Sequence, residues 1–95
     1  MYEYEKQKPE LFTDAGQRMF LRVRDFVGET LEVAGAVRMD KCMDAAGVGD
    51  SWTMLACVDR MVELGELREI TPEGFPCQYR VFIPCQPRER RNERG

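Results

Sequence analysis

The chain has 95 residues, of which 43% are hydrophobic and 33% charged, which suits one small globular domain with a single core. Fourteen lysines and arginines against seventeen aspartates and glutamates give a net charge of −3, so the chain lacks the strongly basic balance typical of nucleic-acid-binding domains. No apolar run approaches the roughly 20 residues of a membrane span, and the polar first residues differ from a signal or transit peptide, so we expect a cytoplasmic protein without membrane contact.

The first predicted helix follows a leader, residues 1–11, that is polar, contains Pro9 and is expected to be flexible. Thr13 or Asp14 is a suitable N-cap, and Gly28 is a suitable stop. Between them, apolar residues recur at helical spacing on one face: Ala15, Met19, Val23, Phe26 and Val27. The stretch ETLEV after the glycine is compatible with either a short strand or a loop.

A second and a third helix are predicted in the middle of the chain. The second covers residues 37–46 and is followed by a tight turn at 47–49. The third is capped by Asp50 or Ser51, runs to Leu64 and stops at a glycine. Its predicted core stripe is Met54, Val58 and Met61, flanked by Leu55, Cys57 and Val62, and its opposite face carries Trp52, Ala56, Asp59, Arg60 and Glu63.

A β-hairpin is predicted after the third helix. The segments ELREI and CQYRVFI read as strands, and the proline and glycine of TPEGFP favour the turn between them. We therefore place one domain at residues 12–84 and a polar, basic tail, expected to be disordered, at 85–95.

This order of helix, helix, tight turn, helix and hairpin resembles the winged helix-turn-helix family. The stretch VDRMVELGELREI is similar to the junction of recognition helix and wing in regulators of the MarR kind. The resemblance implies an α+β fold with three helices and a β-hairpin wing, and a transcription or replication regulator that binds double-stranded DNA. In that family the third helix enters the major groove and the wing contacts the neighbouring backbone or minor groove. Carried onto this sequence, the DNA-contacting positions are Ser51, Trp52, Thr53, Ala56 and Arg60 on the third helix and Gln78 and Arg80 on the wing.

The charge of the third helix opposes this function, whereas the charge of the tail favours it. Residues 50–64 contain one arginine against three acidic residues, a net of −2, which disfavours phosphate contact. The tail has four arginines against two glutamates, a net of +2, and Arg88, Arg90 and Arg91 are its candidate DNA contacts. A tail that serves only solubility is compatible with the same residues.

An alternative function is a winged-helix module that binds protein through the acidic face of the third helix, with Trp52 as its anchor. Trp52 instead completes the core if the helix is rotated slightly or the leader folds back. Leu21 lies among three arginines on the first helix, and the resemblance implies a subunit contact there, as in a homodimer. These arginines, Arg18, Arg22 and Arg24, could contact phosphates, but a solvated helix face with partners four residues away is the favoured interpretation.

The cysteines and the absence of histidine bear on catalysis and metal binding. None of the four cysteines has the C-x-x-C spacing of a zinc or redox site, so we expect reduced thiols, no metal and no cofactor. An all-cysteine zinc site assembled from distant positions is the alternative. Without histidine a cysteine nucleophile lacks its usual base, and no carboxylate pair marks a catalytic site, so we expect that the chain is not an enzyme.

Overall fold

A computed structural model describes residues 2–47 and 51–85. Over these residues the chain is a mixed α+β domain, which confirms the predicted class, with four α-helices, two 3-10 helices and one three-stranded antiparallel sheet. The elements in chain order are α1 (Tyr4–Gln7), a first 3-10 helix (Lys8–Phe12), α2 (Asp14–Ala34), β1 (Val37–Arg38), α3 (Met39–Ala46), α4 (Ser51–Glu63), β2 (Leu67–Glu69), a second 3-10 helix (Cys77–Tyr79) and β3 (Val81–Pro84).

Helix α2 is longer than predicted. Thr13 caps it, since its side-chain oxygen accepts the Gly16 N–H at 3.0 Å. The expected stop at Gly28 and the expected strand or loop over ETLEV are wrong, because the helix continues to Ala34. A glycine in a helix interior costs only about 1 kcal/mol relative to alanine. The helix ends instead at Gly35, whose φ of 78° supplies the left-handed cap.

The two following helices agree with the sequence patterns apart from their edges. The predicted second helix begins at Met39 rather than at residue 37, because the two preceding residues pair in the sheet as β1. Helix α4 ends at Glu63, one residue before the predicted end. The predicted turn at 47–49, beyond its first residue, and the cap at Asp50 lie outside the described residues.

The three strands form a sheet in the order β1-β3-β2, so the predicted hairpin of β2 and β3 is joined by β1 at the other edge of β3. Phe82 lies opposite Val37 on one side and Glu69 on the other. The predicted start of the last strand at residue 77 is wrong. Residues 77–79 form a 3-10 helix because β2 has only three residues and offers them no partner.

The core lies between α2, α3, α4 and the inner face of the sheet. The predicted stripe of Met54, Val58 and Met61 is buried, with at most 7% of each side chain exposed. The largest fully buried side chains from the other elements are Val23, Val27, Met39, Cys42, Leu67 and Phe82. None of the helices in the described ranges is long and apolar enough to cross a bilayer.

The segment predicted to be a flexible leader is helical and packs on the domain. Residues 4–12 form α1 and the first 3-10 helix, both of which contact α4. Leu11 is 4% exposed, and Tyr2 and Tyr4 pack against the core. These apolar and aromatic side chains bury enough surface to hold a segment that is polar by composition.

Candidate nucleic-acid interface

The acidic residues of α4 are bonded to other parts of the chain. Tyr2 donates its hydroxyl proton to Asp59 Oδ2 at 2.6 Å, and Arg80 Nη2 donates to Asp59 Oδ1 at 2.8 Å. Only 15% of the Asp59 side chain remains exposed. The carboxylate therefore ties the start of the chain and the base of the hairpin to the middle of α4.

Glu63, one turn further along α4, accepts hydrogen bonds from three side chains. Its donors are the Tyr4 hydroxyl at 2.6 Å, Lys8 Nζ at 2.9 Å and Arg60 Nη1 at 2.8 Å. These bonds, that from Tyr4 first, lower the pKa of Glu63 to about 2. The carboxylate is thus charged at neutral pH and is balanced by Lys8 and Arg60.

The five positions predicted to contact DNA on α4 do not form one exposed face. Ser51 and Trp52, in the first turn, are exposed, Trp52 by 40%. Thr53 is 7% exposed and Ala56 is fully buried, so their prediction as groove-facing residues is wrong. The reason is that α4 is contacted on several sides, by α1, the first 3-10 helix, α2, α3 and β2.

Arg60 is held against the segment before α2. Its guanidinium lies 5.4 Å from the centre of the Phe12 ring and pairs with Glu63, and 25% of its side chain is exposed. To contact a DNA base, Arg60 would have to give up its contacts with the Phe12 ring and with Glu63.

Arg80, predicted as a wing contact, joins the hairpin to α4. It bonds to Asp59 and to Glu69, each at 2.8 Å, and its guanidinium lies 5.2 Å from the centre of the Phe82 ring. Its side chain is 18% exposed. Its predicted DNA contact stays a prediction, for a side chain that already bonds to two carboxylates of the domain. Gln78 is exposed on the second 3-10 helix, as a wing contact requires.

Three other arginine side chains in the described residues also have internal partners. Arg24 pairs with Glu66 at 2.6 Å, and Arg38 pairs with Asp40 at 2.7 Å. Arg22 donates to the carbonyl oxygen of Ala46, at the end of α3. The predicted tail contacts Arg88, Arg90 and Arg91 lie outside the described residues.

Sequence reasoning missed the residues that cover α4, which are Tyr2, Tyr4, Lys8 and Phe12. Two tyrosines and a phenylalanine within a short polar segment were the available signal, since exposed leaders rarely need three large aromatic side chains. The sequence did not show which residues these side chains contact, because Tyr2 and its partner Asp59 are separated by 57 positions along the chain.

The cysteines fall into a buried and an exposed pair. Cys42 and Cys57 are buried free thiols, and burial raises the pKa of each to about 12. Cys77 and Cys85 are exposed. Over residues 2–47 and 51–85, no three Cys, Asp or Glu side chains are grouped as a metal site requires.

Comparison of the chain with protein-family models, with curated proteins and with solved structures finds no match. The class established by the coordinates is therefore a small α+β domain, and its function has to be inferred from its own residues.

Proposed function

We propose that this chain is a winged-helix protein that binds double-stranded DNA and acts in the control of transcription or replication. In this proposal α3 and α4 are the helix-turn-helix, and β2 with β3 is the wing. The order of these elements and the antiparallel pairing of the hairpin support it.

The observation that carries the proposal is the contrast between the first turn of α4 and its later turns. Asp59 and Glu63 are bonded to the chain's own donors, so the carboxylates that oppose phosphate contact are balanced from within. Ser51 and Trp52 are exposed in the first turn. In helix-turn-helix proteins the N-terminal residues of the recognition helix contact base edges, and a helix N-terminus attracts negative charge.

The rest of the contact set follows from the same arrangement. Gln78 provides a donor and an acceptor beside the hairpin. The arginines of the tail supply the attraction to phosphates that α4 lacks. A short reading surface combined with a basic arm predicts modest sequence specificity and a strong dependence on salt.

Fluorescence anisotropy with a labelled duplex of about 20 base pairs tests the proposal, at about 50 mM salt, where backbone contacts are strongest. If three tail arginines each neutralise one phosphate, the salt slope is about −2.7, and affinity falls about 40-fold between about 50 and 200 mM salt. The triple variant Arg88→Gln, Arg90→Gln, Arg91→Gln is expected to remove most of this dependence. Lys6→Gln, an exposed cation on α1, is the matched control and should leave the slope unchanged.

Absence of binding to any duplex at that salt concentration rules the function out. Equal effects of the triple variant and the control on the salt slope refute the assignment to the tail.

A second candidate function is a protein-binding module, and the charge of the described residues favours it. They contain ten lysines and arginines against fourteen aspartates and glutamates, a difference of −4. Trp52, 40% exposed at the start of α4, is the anchor in this case. For Trp52→Ala, a large loss of stability with unchanged association identifies the indole as part of the core and excludes it as the anchor.

A further inference from the structure

A pocket of about 340 Å³ lies between the first 3-10 helix, α2 and the end of α4. Pockets that hold small organic molecules have volumes of roughly 300–1,000 Å³. Most of the residues that line this one are apolar: Leu11, Phe12, Phe20, Leu21 and Leu64. Phe12, Leu21 and Leu64 are each about half exposed, so a molecule that enters the pocket removes apolar surface from water.

Two polar side chains, Gln17 and Arg60, complete the lining of this pocket. Gln17 Nε2 donates to the carbonyl oxygen of Phe12 at 2.9 Å, so the amide already has a partner. Arg60 is the one charged group among the described residues of the lining. The carboxylates of Glu10 and Asp14, on neighbouring turns, are exposed and do not line the pocket. An apolar pocket with a single cation in its wall favours an apolar ligand that carries one anionic group.

A ligand in the pocket reaches Arg60 where the side chain already lies, so it does not have to draw it away from Phe12 and Glu63, as a DNA base would. Arg60 donates to Glu63 from Nη1, and a guanidinium has five N–H donors, so it can also bond to a second acceptor. Glu63 does not depend on Arg60 alone, because Tyr4 and Lys8 donate to it at 2.6 and 2.9 Å. Two cations, Lys8 and Arg60, stand against the one charge of Glu63, which leaves this wall of the pocket positive.

We propose that this pocket binds a free medium-chain carboxylic acid, with the alkyl chain between Phe12, Leu21 and Leu64 and the carboxylate on Arg60. The volume limits the chain length. About 340 Å³ is near the lower end of the range for small-ligand pockets, so an alkyl chain much longer than roughly eight to ten carbons extends into solvent. A small, partly exposed pocket with one charged contact predicts a dissociation constant on the order of 0.1–1 mM. Arg60 apart, the site shares no residue with the predicted DNA contacts.

Titration of the full chain with sodium octanoate, followed in amide NMR spectra, tests the site. The shifts should saturate with a dissociation constant on the order of 0.1–1 mM and centre on Phe12, Leu21 and Leu64. Octan-1-ol has the same chain length without the charge and should bind about tenfold more weakly, because it cannot form a charge-assisted bond with Arg60. Acetate has the charge without the chain and should not bind at the same concentrations.

Two variants separate ligand binding from an effect on the fold. Arg60→Met removes the charge and keeps an apolar side chain, so it should weaken octanoate about tenfold and leave octan-1-ol unchanged, whereas a structural role of Arg60 would weaken both alike. Leu21→Glu places a carboxylate at the pocket and should abolish octanoate binding, because like charges repel. Val33→Glu is the matched control, since Val33 is 90% exposed on the same helix and lies outside the lining.

Four outcomes overturn the proposal. They are no octanoate binding up to about 10 mM, roughly ten times the weakest affinity expected, equal affinities for octanoate and octan-1-ol, equal effects of Leu21→Glu and Val33→Glu, and shifts centred on Trp52 instead of the pocket. None of these measurements contains DNA, so failure of the acid site and failure of the proposed DNA binding are distinguished.

Discussion

Alanine at two glycines of α2 is expected to change stability in opposite directions. At Gly16 a Cβ would collide with the carbonyl oxygen of Glu10 and lie 2.8 Å from the Cα of Leu11. Both are backbone atoms, so the first 3-10 helix has to move. At Gly28 nothing lies within 4 Å of the same atom, and alanine enters without contact.

The size of each change in the free energy of unfolding depends on which part of the structure the added methyl group displaces. Shifting the 3-10 helix withdraws Leu11, now 4% exposed, and the burial of one leucine is worth about 2 kcal/mol. With the associated backbone strain we expect Gly16→Ala to lower the free energy of unfolding by about 2–3 kcal/mol. Gly28→Ala should raise it by about 0.5–1 kcal/mol, the difference in helix propensity.

Urea unfolding followed by far-UV circular dichroism measures the free energy of unfolding of both variants, at a chain concentration low enough to exclude self-association. In thermal unfolding the two changes correspond to a fall of about 8–24 °C and a rise of about 2–8 °C in Tm. A neutral Gly16→Ala refutes the close seating of the 3-10 helix on α2. A destabilising Gly28→Ala refutes the open surface at that position.

Three other outcomes are expected. Arg80→Met should destabilise the domain by about 2 kcal/mol, because it leaves two partly buried carboxylates without their shared cation. Urea unfolding measures this change, and a loss below about 0.5 kcal/mol contradicts a stabilising bridge from Arg80 to Asp59 and Glu69. The pKa of Glu63 is lowered from its ordinary 4.5 to about 2 on folding, so the stability it contributes is present above pH 4.5 and is lost as pH falls towards 2. Acid unfolding of Glu63→Gln should lack this part of the pH dependence, and an unchanged profile argues against the three-donor cluster. Because burial raises the pKa of Cys42 and Cys57 to about 12, a thiol reagent at mildly alkaline pH should label only the two exposed cysteines until the chain unfolds, and labelling of all four in the native state contradicts their burial.

The helices around the core were readable from sequence because their signals are local. Met54, Val58 and Met61 repeat at helical spacing, and the glycine after α4 stops the helix. The end of α2 was misread because two glycines, Gly28 and Gly35, offered the same signal. Only the second has a left-handed backbone, and a backbone angle is not visible in the sequence.

The candidate site was less predictable, since it depends on contacts between distant segments. A helical projection places Ala56 and Arg60 on the outer face of α4, and that projection holds only if nothing packs there. The residues before α2 do pack there, through Tyr4 and Phe12. The local pattern thus located the helix. Residues more than 45 positions away determine which of its sides stays exposed.

The position of β3 in the sheet also bears on how the chain folds during synthesis. Although β3 is the last of the described strands along the chain, it is the middle strand of the sheet, and β1 and β2 pair with it from opposite sides. A growing chain therefore cannot assemble any of the sheet until residues 81–84 have left the ribosome, whereas α2 and α3 are complete long before. A stop codon placed before Val81 should remove all strand pairing at once and leave a helical fragment with its apolar face uncovered.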